Sequence, residues 1–157
     1  MAIIEEEKQA IVELLQTVLN TMGIEARISP EDNLNGTEFN IYTPDSRLLI
    51  GQRGANLAAL QTLIHSVTYR RFPGIERFSI DIDDYRKQRE YRLREIAKHA
   101  AAQVKKNNKP VKLEAMNPYE RRIVHAYLSN EYGIDTTSVG KEPNRKIIIS
   151  PKAKGEI

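Results

Sequence analysis

The sequence predicts an α+β protein built from two small domains, residues 1–83 and 84–157. Three observations predict it. The apolar periodicity of the first half reads helix, strand, strand, short helix, helix, strand, and that of the second half reads helix, strand, helix, strand, strand. Between the halves, residues 84–106 run without Pro or Gly, long enough to serve as connector and as the first helix of the second domain. The charge also changes sign: residues 1–83 hold 7 Lys and Arg against 12 Asp and Glu, a net of −5, whereas residues 84–157 hold 17 against 9, a net of +8.

Each element has its own signal. Ile4, Ile11, Leu14, Leu15, Val18 and Leu19 recur at a helical period, and Gly23 ends that helix. Residues 25–28 and 37–42 alternate as two strands, with Pro30-Glu31-Asp32-Asn33-Leu34-Asn35-Gly36 as the turn between them. Asp45 to Ile50 is a short helix, Ala55 to Phe72 a longer one ended by Pro73-Gly74, and Phe78 to Asp83 a strand with one wet face. In the long helix 84–106, Leu93, Ile96, Ala97, Ala100 and Val104 form the apolar stripe. Val111 to Leu113 is a short strand. Asn117 and Pro118 are the N-cap and first position of a helix whose apolar face is Ile123, Val124, Tyr127 and Leu128. Residues 136–139 and 146–150 are strands around the turn Glu142-Pro143-Asn144.

Composition narrows the function. The chain lacks cysteine, so disulfides, Cys zinc sites and thiol chemistry are excluded. No apolar run approaches the roughly 20 residues of a membrane span, and Glu5-Glu6-Glu7 stands where a signal peptide needs a basic segment. A cytoplasmic protein is the expectation, with no membrane contact through this chain. The basic second half suits a polyanion partner, or a set of solvated helix faces.

Gly51-Gln52-Arg53-Gly54 follows the apolar run Leu48-Leu49-Ile50 and leads into a helix. Two glycines allow a sharp turn and a close approach. The turn presents the first amides of the next helix, which favour an anion, and Arg53 adds a full positive charge. A Gly-x-x-Gly turn with a basic x, set between two helices, is how KH domains grip about four nucleotides of backbone. The element order over residues 1–83 resembles the type II KH arrangement. Ile41, Ile50 and Leu57 are candidates to line the groove, or to be plain core.

Arg121 and His125 stand at i and i+4 on one helix face. A guanidinium forks onto phosphate oxygens, and an imidazole hydrogen-bonds a phosphate or stacks on a base. The alternative is a half-buried His125 bonded to a carbonyl, with Arg121 paired to Glu120 or Asp135. The pair, with Pro118 and Glu120 before it and Ser138-Val139-Gly140 and Arg145-Lys146-Ile147-Ile148-Ile149 after it, resembles the R-3-H (Arg-x-x-x-His) domain of single-stranded nucleic-acid binders, over residues 84–157. A KH module followed by that domain is similar to the Jag, or SpoIIIJ-associated, family of bacterial RNA-binding proteins. The resemblance covers nearly the whole chain. The N-terminal Jag domain and long linker of many members are not in the sequence, which is expected to be a short member or a trimmed one. It implies binding of single-stranded RNA, with single-stranded DNA as the other candidate, pairing with a second small KH protein or with itself, and a part in cell elongation, envelope control or sporulation. Gly51, Gln52, Arg53, Gly54, Arg121, Arg122, His125, Arg145 and Lys146 are the expected contacts.

Other patterns carry less. Gly133 to Gly140-Lys141 has six residues between its glycines instead of four, and Glu142 replaces the Ser/Thr of a phosphate loop. His65, His99 and His125 lack metal-ligand spacing. Asp81, Asp83 and Asp84 suggest a metal-dependent nuclease, but fit the wet face of a strand and a first helical turn better. No catalytic residue, metal or cofactor is expected. The competing reading is a protein-interaction adaptor in which the glycines are structural.

Overall fold

The computed structural model describes residues 2–153. The chain divides into two compact units, Met1–Arg86 and Lys87–Ile157, each with a three-stranded sheet and an apolar core of its own. In the first unit α1 (Glu5–Thr21) precedes β1 (Arg27–Asn33), β2 (Gly36–Tyr42), α2 (Ser46–Ile50), a 3-10 turn (Gln52–Gly54), α3 (Ala55–Arg71) and β3 (Phe78–Ile82). The order is the one the periodicity predicts. Acidic residues Glu5, Glu6 and Glu7 occupy the first turn of α1, where they suit the helix dipole. Ile11, Leu15 and Leu19 recur every fourth residue and are fully buried.

β1 pairs antiparallel with β2, and β2 pairs parallel with β3. The register sets Phe39 opposite Ile80 and Ile41 opposite Ile82, so one sheet face delivers four large apolar side chains to the core beneath α1 and α3. β1 differs from expectation. It runs on through Pro30, Glu31 and Asp32, and only Leu34 and Asn35 are left as the turn. Pro30 sits in a strand because β1 is at the sheet edge, where a missing N–H facing outward breaks no ladder bond.

The acidic triplet at the end of β3 also departs from expectation. Asp81 is not on a wet face. It pairs in register with Asn40, and both are about 95% buried on the sheet face opposite Phe39. Burial pushes the Asp81 carboxyl above its ordinary value, against the pull of the Ile82 and Arg86 N–H groups and the Arg86 charge. Asp83 and Asp84 have φ of 46° and 55°, so they form a left-handed corner, and the helix starts only at Tyr85.

The second unit contains most of α4 (Tyr85–Asn107), then β4 (Val111–Ala115), α5 (Pro118–Leu128), β5 (Ile134–Val139) and β6 (Lys146–Pro151). The division between the units falls inside α4, between Arg86 and Lys87. The sheet order is β4-β6-β5, all antiparallel. α4 buries Leu93, Ala97, Ala100, Ala101 and Val104 against Val124, Leu128, Ile147 and Ile149. Ile96 is exposed, because the stripe is turned so that the small Ala101 completes it. Tyr127 is exposed too, and Val124 and Leu128 supply the buried face of α5. Asn117 caps α5 as expected: its side chain accepts the Glu120 N–H at 2.9 Å, and Glu120 accepts the Asn117 N–H at 3.1 Å. Among the described residues no helix is long and apolar enough to cross a membrane.

Candidate nucleic-acid interface

The turn between α2 and α3 is built from backbone states that side chains resist. Gly51 has φ 72° and ψ −176°, a region reserved for glycine, and a Cβ there would stand 2.5 Å from Asn56 Cγ. Asn56 is fixed by its own bond to the Leu48 carbonyl at 2.8 Å. Gly54 is left-handed, and a Cβ there would meet Tyr85 Cε1 at 2.9 Å. Arg53 itself is left-handed at φ 53°. The consequence is a tight one-turn bend with Gln52 and Arg53 exposed at its tip. Gly54 is the N-cap of α3, and no side chain caps that start. The first amides of a 17-residue helix thus begin at the bend. Ile41 and Leu57 are buried core, while Ile50 packs on that core from a partly exposed position.

In the second unit, α5 carries Arg121, Arg122 and His125, and β5 carries Thr136 and Ser138 beside it. Arg121 is only 8% exposed. Its guanidinium donates to the Met116 carbonyl at 2.6 Å and to Glu142 Oε1 at 2.6 Å. Its acidic partner is therefore Glu142, neither Glu120 nor Asp135. Glu120 instead holds Arg89 at 2.7 Å. His125 is half-buried, with Nδ1 2.7 Å from Thr136 Oγ1 and Nε2 2.9 Å from Ser138 Oγ. Its partners are two hydroxyls on β5, not a carbonyl. A neutral imidazole between two hydroxyls donates from one nitrogen and accepts at the other. Arg145 donates to the Gly140 carbonyl at 2.6 Å and to the Ser138 carbonyl at 3.3 Å. Arg122 is exposed and Lys146 half-exposed at the start of β6.

Burial, and then the charge of Arg121, hold the His125 pKa below its ordinary 6.5. The folded state therefore prefers neutral imidazole. Its stabilising contribution is complete above 6.5 and is lost as pH falls through the lowered folded value, because the unfolded chain takes up the proton first. Urea titrations at about pH 7.5 and about pH 5 should show the second unit weakening on acidification. His125→Gln, which keeps hydrogen bonding but does not titrate, should flatten that dependence. An equal slope in the variant would assign the acid sensitivity elsewhere.

Several contributors were not legible in the sequence. Tyr85, 31 residues after Gly54, lies against it. Thr136 clamps His125 across 11 residues, and Glu142 pairs with Arg121 across 21. The only linear trace is that Thr136 and Ser138 share one face of a strand.

The R-3-H domain family matches residues 92–151. Over 143 residues the chain is 40% identical to a Clostridium symbiosum protein named RNA-binding protein KhpB, an alignment covering 90% of this chain and 64% of that one. It is 33% identical over 141 residues to RNA-binding protein KhpB of Bacillus subtilis strain 168, covering 88% and 67%. With the Lactiplantibacillus plantarum protein of the same name it shares 30% over 148 residues, covering 93% and 45%. The chain thus spans from under half to about two thirds of the length of these relatives.

Proposed function

This chain belongs to the KhpB (Jag) family, and from that premise we propose that it binds single-stranded RNA through two tethered surfaces. The first unit is read as a type II KH fold, on its α-β-β-α-α-β order and on the bend at residues 51–54 between α2 and α3. The observation that carries the reading is the exposure of Gln52 and Arg53 at a glycine-bounded bend that opens directly into the start of α3, which no side chain caps. Such a bend offers main-chain N–H groups and a guanidinium to a sugar-phosphate backbone.

The second surface lies on α5 and β5–β6 and is read as the R-3-H domain. Arg122 and Lys146 face outward as the cationic contacts, and Arg145 keeps three of its five N–H donors beyond the two carbonyls it binds. Arg121 and His125 support this surface: one ties α5 to the Met116 and Glu142 segments, the other ties it to β5. Two weak sites on one chain gain effective concentration when a single strand reaches both. A post-transcriptional role in envelope control, elongation or sporulation is the wider form of the proposal. Sequencing RNA crosslinked to the protein in cells tests it.

The direct experiment is the double variant Gln52→Asp with Arg53→Asp, which sets two carboxylates against the phosphate. RNA affinity should fall at least about tenfold with the fold intact. The log–log salt slope should shrink by roughly 0.7 for each lost contact. Unchanged gel shifts would remove the loop from the mechanism.

The adaptor reading has one observation in its favour. Leu63 and Val67 are exposed along α3, beside a shallow groove that includes Leu14 and Phe72. Light scattering with and without RNA separates the two: a tight protein complex that retains no RNA would favour the adaptor.

A further inference from the structure

Besides the bend, the first unit carries an open polar concavity of about 280 Å3, walled by Arg77, Arg86, Glu38, Ser79, Asn33 and Asn35. The walls come from the β1–β2 turn, the first residues of β2, the start of β3 and the head of α4. We propose that this concavity takes one nucleotide of the bound RNA, with Arg77 and Arg86 on its phosphate and Glu38 selecting a base that bears an amino group. The proposal rests on the RNA-binding reading above and extends it to base preference.

Arg86 is held in place for this. Gln61 Oε1 accepts the Ile80 N–H at 3.1 Å and Arg86 Nη2 at 2.6 Å. One amide oxygen therefore ties α3, the edge of β3 and the first turn of α4. The Arg86 backbone N–H points to Asp81 Oδ1 at 3.4 Å. The left-handed corner at Asp83 and Asp84 turns the chain into this position. Arg77 and Arg86 are both exposed, and among the described residues neither guanidinium is ion-paired. Arg77 thus brings a cation into a half of the chain that is net −5, and Arg86 adds a second beside it, with Glu38 as the one carboxylate among the described residues of the wall.

Size and chemistry agree with a nucleotide. A concavity of this size is small for a larger ligand, since such pockets run from roughly 300 Å3 upward. Glu38 accepts the Ser79 hydroxyl through Oε2 at 3.1 Å, which leaves Oε1 as an acceptor. A carboxylate accepts from an exocyclic amino group such as cytosine N4, whereas the carbonyl that a uracil ring presents at that position repels it.

The test uses fluorescein-labelled oligoribocytidine and oligoribouridine of about twelve nucleotides, or three KH footprints, titrated by anisotropy. The wild-type chain should prefer the cytidine oligomer by about tenfold. Glu38→Gln presents both a donor and an acceptor, so it should bring the ratio to about one. Arg77→Gln, an exposed change confirmed as folded by circular dichroism, should weaken both oligomers about equally and about fivefold, as loss of a phosphate contact does. The proposal is overturned if the wild type shows no preference, if Glu38→Gln leaves the ratio unchanged, or if Arg77→Gln leaves affinity unchanged. In each of those cases the reading of residues 51–54 survives. Failure of the wild type to bind either oligomer would bring down that reading and this one together.

Discussion

Gly51→Ala is expected to weaken RNA binding by at least about tenfold while the first unit stays folded. The new Cβ would sit 2.5 Å from Asn56 Cγ and 2.7 Å from its Nδ2, far inside contact distance. The backbone at φ 72° and ψ −176° is closed to alanine at a cost of about 1–3 kcal/mol. Moving Asn56 away also breaks its bond to the Leu48 carbonyl, worth about 1 kcal/mol. The total, about 3 kcal/mol, is large for a four-residue bend, and the bend can escape it by opening. Opening would scatter the N–H groups that begin α3, while the core of Phe39, Ile64 and Ile80 is untouched. Amide exchange at residues 51–56 should rise sharply, with little change in the thermal midpoint. Wild-type affinity in this variant would mean that the glycine serves packing alone.

Glu120→Ala is expected to destabilise the second unit by about 3 kcal/mol. Glu120 is 4% exposed and does two jobs. One oxygen accepts the Asn117 N–H and completes the start of α5; the other accepts Arg89 Nε at 2.7 Å, from a side chain that is itself 19% exposed. Loss of half a capping box costs about 1 kcal/mol. Leaving a mostly buried guanidinium without its carboxylate costs more, toward about 3 kcal/mol, because desolvation is no longer offset. For a unit of this size, a loss of about 3 kcal/mol lowers the melting midpoint by about 12–24 °C. Glu120→Gln retains the reach to Asn117 and a neutral acceptor for Arg89, so about 1 kcal/mol is expected. Equal midpoints for the alanine variant and the wild type would show that Arg89 finds another partner.

The order of elements was readable because it rests on local physics. Spacing of Ile11, Leu15 and Leu19 makes a helix, alternation makes β2 and β3, and Asn117-Pro118 followed by Glu120 starts α5. The bend at Gly51–Gly54 was readable for the same reason, since a backbone state that only glycine tolerates leaves its mark on the sequence. What failed was set by neighbours remote in the chain. Pro30 looked like a turn, and only its place on the sheet edge lets it be strand. Asp81 alternated like a surface residue, and only the pairing with Asn40 and the corner at Asp83–Asp84 puts it inside. Ile96 and Ala101 flank the same helical stripe, and the facing sheet selected Ala101.

The sequence by itself determined the succession of helices and strands, the glycine bend and the basic character of the second half, because propensity, periodicity and formal charge act between near neighbours. Tertiary structure alone decided which charges face water. Arg121 and Arg122 are adjacent in the chain and equal in charge, yet one lies locked between Met116 and Glu142 and the other is exposed. Their difference is about a hundred degrees of rotation around α5 and the segments that happen to pack on one side of it.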